Sequence, residues 1–265
     1  TRSGAARPGP PGSVVGGRCH DVTVTAHGIP DDPQFATESE REVWSRLLVQ
    51  GASDWTLLAN VRLTDHKKDH ELDVIVLMPD VGIVVVEVKG GDLRTEDGEW
   101  VVGHGKGRRV VHPVDQGRDG KYALRAYIER DPRWKTSSRT RVRFGHAVVA
   151  PYTDLADDFE TPDCPRWMIS GRADQADLAD RLHDVAARQE SGHRVPTDDD
   201  CELIVAILKG RSLPQRTLLA EADERESRAD RLTVEQATIL GVTRLIKRVD
   251  VRGGVTDPER LTALV

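Results

Sequence analysis

Asp73, Glu87 and Lys89 are the residues whose types and spacing are best suited to chemistry. They sit in the stretch Glu71-Leu-Asp-Val-Ile-Val-Leu-Met-Pro-Asp-Val-Gly-Ile-Val-Val-Val-Glu-Val-Lys89, which reads as two apolar strands joined by a turn. Side chains of a strand alternate faces with period two. Ile83, Val85, Glu87 and Lys89 therefore share one face, and Val84, Val86 and Val88 share the other. A carboxylate and an ammonium in so apolar a strand are costly to bury without partners. Such groups hold cations, move protons or steady negative charge; a salt bridge on a solvated face is the plain alternative.

Turn length decides whether the two carboxylates meet. Directly opposed residues of an antiparallel pair lie on one face. Asp73 can face Glu87 only across an odd-length turn, such as a three-residue loop at Pro79-Asp80-Val81 or a five-residue loop. An even-length loop without a bulge would put them on opposite faces.

The elements that must position these residues follow from pattern. A helix opens at Thr37-Glu-Ser-Glu40, with Thr37 as N-cap and Glu40 at the third position of a capping box. Val43, Trp44, Leu47 and Leu48 form its apolar stripe. Glu40 borders that stripe, so it is either a capping residue alone or a third acid aimed at the strand pair. Asp21 to Ala26 reads as a short strand and Trp55 to Leu63 as a longer one. Gly90-Gly91 and Asp97-Gly98 punctuate a second hairpin that includes Trp100. His112-Pro-Val-Asp-Gln116 enters a second helix, with Gln116, Gly120, Ala123 and Tyr127 on one face. That face turns Gln116 inward, as an ordinary core amide or as a member of the acidic site. Phe144 to Ala150 and Trp167 to Ser170 read as strands, Asp174 to Gln189 and Asp198 to Lys209 as helices. The alternation predicts an α/β domain around a mixed sheet.

The chain has 265 residues, enough for a substantial core. Its net charge is -6, so no global basic character announces a nucleic-acid partner. Positive charge gathers locally at Lys106, Arg108, Arg109, Arg118 and Lys121, as solvated faces or as a patch for phosphates. Three cysteines, Cys19, Cys164 and Cys201, make no metal-binding pair, and a reducing, cytoplasmic setting fits them. No apolar run is long enough to span a membrane. Residues 1–20, rich in Gly, Pro and Arg, read as a flexible tail, with the main domain over 21–210 and a helical connector over 211–265.

Glu40 on a helix, then Glu71-Leu-Asp73, Glu87-Val-Lys89 and Pro113-Val-Asp-Gln116, together resemble the nuclease-related domain family, NERD, and through it the PD-(D/E)xK nuclease superfamily. The resemblance runs from Thr37 to Tyr127 and includes Asp54-Trp55, the Gly82 to Gly90 strand and Trp100. Two positions depart from the pattern: His112 stands where Asn is common, and Leu72-Asp73 replaces Pro-Asp. The resemblance implies a restriction-endonuclease-like fold, with a mixed central sheet flanked by helices and a C-terminal helical extension. It also implies a Mg²⁺-dependent (or Mn²⁺-dependent) nuclease acting on DNA, with RNA left open and two copies able to cut both strands. Asp73, Glu87 and the Val88 carbonyl would ligate the cation, while Lys89, Glu40 and Gln116 would complete the catalytic set. The other reading is a catalytically weak nucleic-acid-binding or regulatory module of a helicase-like protein.

Arg231-Leu-Thr-Val-Glu-Gln236 and Arg248-Val-Asp-Val-Arg-Gly-Gly254 are similar to the start of a superfamily-one helicase. The loop Gly253-Gly-Val-Thr-Asp-Pro-Glu-Arg260 has no lysine and carries two acids, so no ATP site is expected in this chain. A plain helical hairpin is the alternative for this segment.

Overall fold

The computed structural model describes residues 26–64, 69–103, 107–136 and 141–209. Cys19, Lys106, the tail over 1–20 and everything from residue 210 onward, including the helicase-like stretch, lie outside the described residues.

The fold is mixed α/β, with a central mixed sheet flanked by helices, consistent with a nuclease-like fold. The described residues begin with β1 (His27–Ile29), α1 (Glu38–Gln50), β2 (Thr56–Thr64), β3 (Asp69–Met78) and β4 (Gly82–Val88). A small sheet follows, built from β5 (Leu93–Glu96), β6 (Glu99–Val102) and β7 (Arg109–Val110). Next come α2 (Pro113–Arg130), α3 (Pro132–Thr136) and β8 (Phe144–Val149). The short pair β9 (Glu160–Thr161) and β10 (Cys164–Pro165) precedes β11 (Ile169–Ser170), α4 (Leu178–Arg188) and α5 (Asp198–Leu208).

The six-stranded sheet has the order β1-β2-β3-β4-β8-β11. Its middle is a meander, because β2–β3 and β3–β4 are antiparallel. Its flanks are parallel at β1–β2, β4–β8 and β8–β11. All seven residues of β4 are buried, which requires cover on both faces. On one face Val84, Val86 and Val88 pack with Val43, Trp44 and Leu47 of α1 and Leu182 and Val185 of α4. On the other, Ile83 and Val85 pack with Leu124 and Ile128 of α2 and Ile204 and Ile207 of α5. A third cluster joins Leu93, Trp100 and Val102 of the small sheet to Val114 and Val148.

Thr37 caps α1 as its sequence predicts, accepting from the Glu40 N–H. The return bond differs: the Glu40 carboxylate accepts from the N–H of Ala36, one residue before the cap. The expected strand over Asp21 to Ala26 falls almost wholly outside the described residues, and the first described strand is His27–Ile29. It is placed there by its parallel ladder with β2, a long-range partner that local pattern does not reveal. The final sheet strand is also shorter than Trp167–Ser170, because Arg166–Met168 form a 3₁₀ turn.

Candidate functional site

The β3–β4 turn fixes the register. Met78 pairs with Gly82, so the loop is the three residues Pro79-Asp80-Val81. Val81 N–H returns to the Met78 carbonyl at 3.2 Å, and Asp80 takes φ 59. Proline at the first corner and positive φ at the second are the pattern of a type II turn. The ladder then runs out to Val74↔Val86. The next residues along each strand are Asp73 and Glu87, on the face of Ile75 and Val85 by the period-two rule.

At this point the strands part. The Asp73 carboxylate, rather than a backbone carbonyl of β3, accepts the Val88 N–H at 2.7 Å. On its other side β4 stays paired with β8 to Val88↔Val149, and Lys89 N–H bonds the Val149 carbonyl at 2.9 Å. In a strand the N–H and C=O of one residue point to the same neighbour. The Val88 carbonyl therefore also turns toward the opened side. The arrangement is a crevice at the C-terminal end of β4, floored by Asp73, Glu87 and the Val88 backbone. Lys89 Nζ donates to Glu87 Oε1 at 2.6 Å.

The electrostatics of this crevice are unbalanced. Burial is the largest influence raising the Asp73 carboxyl well above its usual range, followed by the charges of Glu87 and Glu40. Lys89 and the Val88 N–H act the other way and do not win. Burial works to lower the Lys89 ammonium, but Glu87, Asp73 and Glu40 outweigh it and hold its pKa above the ordinary lysine value. Glu87 and Glu40 are both buried. Glu40 arrives from α1 and acts on both Asp73 and Lys89, so its capping role and its place beside the acidic crevice coexist.

The second helix is rotated relative to the sequence expectation. Its buried face is Pro113, Val114, Gly117, Gly120, Lys121, Leu124, Arg125 and Ile128. Gln116 is exposed, which corrects its expected inward position. Adjacent helical residues are about 100° apart, so seating Leu124 and Ile128 in the core brings Gly117 inward and turns Gln116 out. Gly117 lies on that buried face. A side-chain carbon there would lie 3.7 Å from Glu87 Cβ and 3.6 Å from His146 Cβ, so this glycine is where α2 passes close to the acidic strand. A glycine inside a helical run is the signal that could have found it.

His146 also escaped the sequence reading. It pairs with Val85 across β4–β8 and is buried. Gln189 bonds its backbone N–H and carbonyl, and neither ring nitrogen makes a geometrically sound hydrogen bond. Burial first, then Lys121, push its pKa down to about 4.

The basic residues among the described ones differ in exposure and in partners. Arg108 is exposed but donates to Glu96 at 2.6 Å. Arg109 lies exposed on the edge strand β7. Arg118 is exposed and paired with Asp115. Lys121 corrects the expectation of a surface contact: it is 5 % exposed and faces Glu190 at 3.3 Å. The reason is again the rotation of α2, which puts residue 121 on the core side with Leu124 and Gly117.

The donors in the crevice are two carboxylates and a backbone carbonyl, all hard oxygen atoms that suit Mg²⁺ or Mn²⁺. Among the described residues no three His, Cys, Asp or Glu side chains group closely enough to cage an ion. Mg²⁺ does not need such a cage, since it usually keeps several waters and takes one or two carboxylates. Burial first, then the charges of Glu87 and Glu40, make a charge at Asp73 costly, and a cation would offset that cost, so the residues present fit one.

Residues 36–151 match the family model of the nuclease-related domain, NERD. The matched segment holds Glu40, Asp73, Glu87 and Lys89 and is nuclease-related by this similarity; it stops well before Arg231. No curated protein and no solved structure matches the chain. No helix among the described residues is long and apolar enough to cross a membrane.

Proposed function

We propose that the chain is a nuclease that hydrolyses phosphodiester bonds of DNA with Mg²⁺ or Mn²⁺. The observation that carries this reading is the convergence of Asp73, Glu87 and Lys89 where β3 and β4 part, inside the nuclease-related segment. Asp73, Glu87 and the Val88 carbonyl would hold the cation. Bound there, it would supply positive charge to polarise the phosphate and acidify water. Lys89 is held protonated by its acidic neighbours, so its part is electrostatic. It would orient the attacking water and stabilise negative charge developing on the phosphate oxygens. Water adds to phosphorus, its proton passes to solvent or to a carboxylate, the bond to the leaving oxygen breaks, and that oxygen takes a proton from solvent to leave as an alcohol. Glu40 strengthens the negative field that attracts the cation. Gln116, exposed on the first turn of α2, is available to a substrate.

The charge pattern favours a second reading, a catalytically weak nucleic-acid-binding or regulatory module. Arg108, Arg118 and Lys121 are engaged by acidic neighbours, and the chain is net negative. Incubating the purified protein with plasmid DNA and labelled RNA in Mg²⁺, Mn²⁺ or EDTA separates the two. The nuclease reading expects cation-dependent cleavage that Asp73→Ala and Lys89→Ala each reduce at least about 100-fold, the size of losing one transition-state contact. Binding without cleavage in either cation would establish the second reading, and unchanged cleavage by both variants would refute the site.

A further inference from the structure

Across β2–β3 the ladder pairs Ala59 with Val74 and Val61 with Leu72, and skips the pair between them, Asn60 and Asp73. The register is the same on both sides, so no residue has been inserted; the ladder opens at that one position. Asn60 is the cause on the β2 side, because it adopts φ 50 in the middle of a strand. Left-handed backbone is costly for most L-residues and least so for Gly, Asn and Asp. Such outliers persist where the surroundings impose them, and they gather at functional sites.

The Asn60 side chain has its own anchor. Its Nδ2 donates to the Gln34 carbonyl at 2.5 Å. Gln34 begins the short segment that leads into α1: Phe35 is buried against Trp44 with ring centroids 5.8 Å apart, and Ala36 N–H bonds the Glu40 carboxylate. One residue thus acts at two places. Its backbone opens the sheet opposite Asp73, and its amide ties down the segment that holds Glu40.

We propose that Asn60 is a positioning residue of the acidic site, setting the Glu40 carboxylate against Asp73 so that the site takes a divalent cation. The inference rests on the reading of the crevice as a cation-dependent site, and the test separates the two. Asn60→Gly keeps the positive φ and removes only the amide; Asn60→Ala removes both. Mn²⁺ affinity is measured by isothermal titration for wild type, Asn60→Gly, Asn60→Ala, Glu40→Gln and the Asn60→Gly/Glu40→Gln double variant, alongside Tm in EDTA. Asn60→Gly is expected to weaken Mn²⁺ binding about tenfold, the lower end for residues that orient metal ligands. Glu40→Gln should weaken it similarly, and the double variant should be no weaker than the worse single one, because both losses pass through Glu40. Asn60→Ala should bind no better than Asn60→Gly and melt lower. Wild-type affinity in Asn60→Gly, or losses that multiply in the double variant, would overturn the positioning role while leaving the site intact. A wild-type protein that takes no Mn²⁺ would refute the site itself and the inference with it.

Discussion

At Asp73 burial, then Glu87 and Glu40, hold the carboxyl well above its usual pKa. A folded-state pKa raised above the unfolded value contributes stability that is present at low pH and lost as the pH rises through the folded value. Above the usual aspartate range, carrying a charge at Asp73 therefore works against the fold in the absence of a cation. Asp73→Asn removes that charge and keeps an oxygen to accept the Val88 N–H. It should raise Tm in EDTA by a few degrees, the response to about 1 kcal/mol in a domain of this size. The same substitution should abolish the Tm increase on adding Mn²⁺. Differential scanning calorimetry with and without Mn²⁺ checks both arms, and a lower metal-free Tm would show that the carboxylate is not strained. Asp73 was visible in the sequence because period two and turn parity are local rules; the repulsion that makes it costly was not, since Glu40 arrives from a different element.

Among the elements, α2 controls how closely a helix approaches Glu87. At Gly117 an added Cβ would make ordinary contacts of 3.6 Å and 3.7 Å. Alanine is worth about 1 kcal/mol over glycine inside a helix. Gly117→Ala should therefore stabilise the protein by roughly 0.5–1 kcal/mol with activity kept. Gly117→Leu should cost about 1–3 kcal/mol through overpacking, and cleavage should fall as α2 is pushed off β4. Urea unfolding of both variants with matched cleavage assays decides; equal stability of alanine and leucine would mean that α2 is free to move. The β3–β4 turn shows the opposite situation. Its odd length was legible from Pro79-Asp80-Val81, and strand register follows from loop length. Helix rotation has no such discrete rule, which is why Gln116 and Lys121 came out on the other side from their expected ones.

At the scale of the whole domain, Glu190 ties the layers together. It accepts from Arg125 and from the Phe144 N–H, and it lies 3.3 Å from Lys121 and 3.1 Å from His193. One carboxylate thereby joins α2, β8 and the segment after α4. Burial would raise its pKa, but Arg125 and Lys121 outweigh burial and hold it at about 2. A depressed carboxylate contributes stability that is present above its unfolded pKa and lost as the pH falls through the folded one. The loss from this group belongs between about pH 4.5, the ordinary glutamate value, and about pH 2. Glu190→Gln leaves Arg125 and Lys121 buried without their counter-charge and should cost roughly 3 kcal/mol at neutral pH. Denaturant unfolding of wild type and variant at pH 7 and pH 3 tests this: the gap should narrow on acidification, and a pH-independent gap would refute the charge argument.

What the sequence determined by itself were the features that follow from discrete local rules. Alternation put Glu87 and Lys89 on one face, an odd loop allowed Asp73 to join them, and Thr37 had to cap α1. What only the tertiary structure decided were quantities set by distant partners. The rotation of α2 depends on which of its residues find the cluster around Ile75 and Val85, and that hid Gly117, exposed Gln116 and buried Lys121. The opening of β2 at Asn60, and the tie from its amide to the Gln34 carbonyl twenty-six residues earlier, are features that no period or motif in the strand announces.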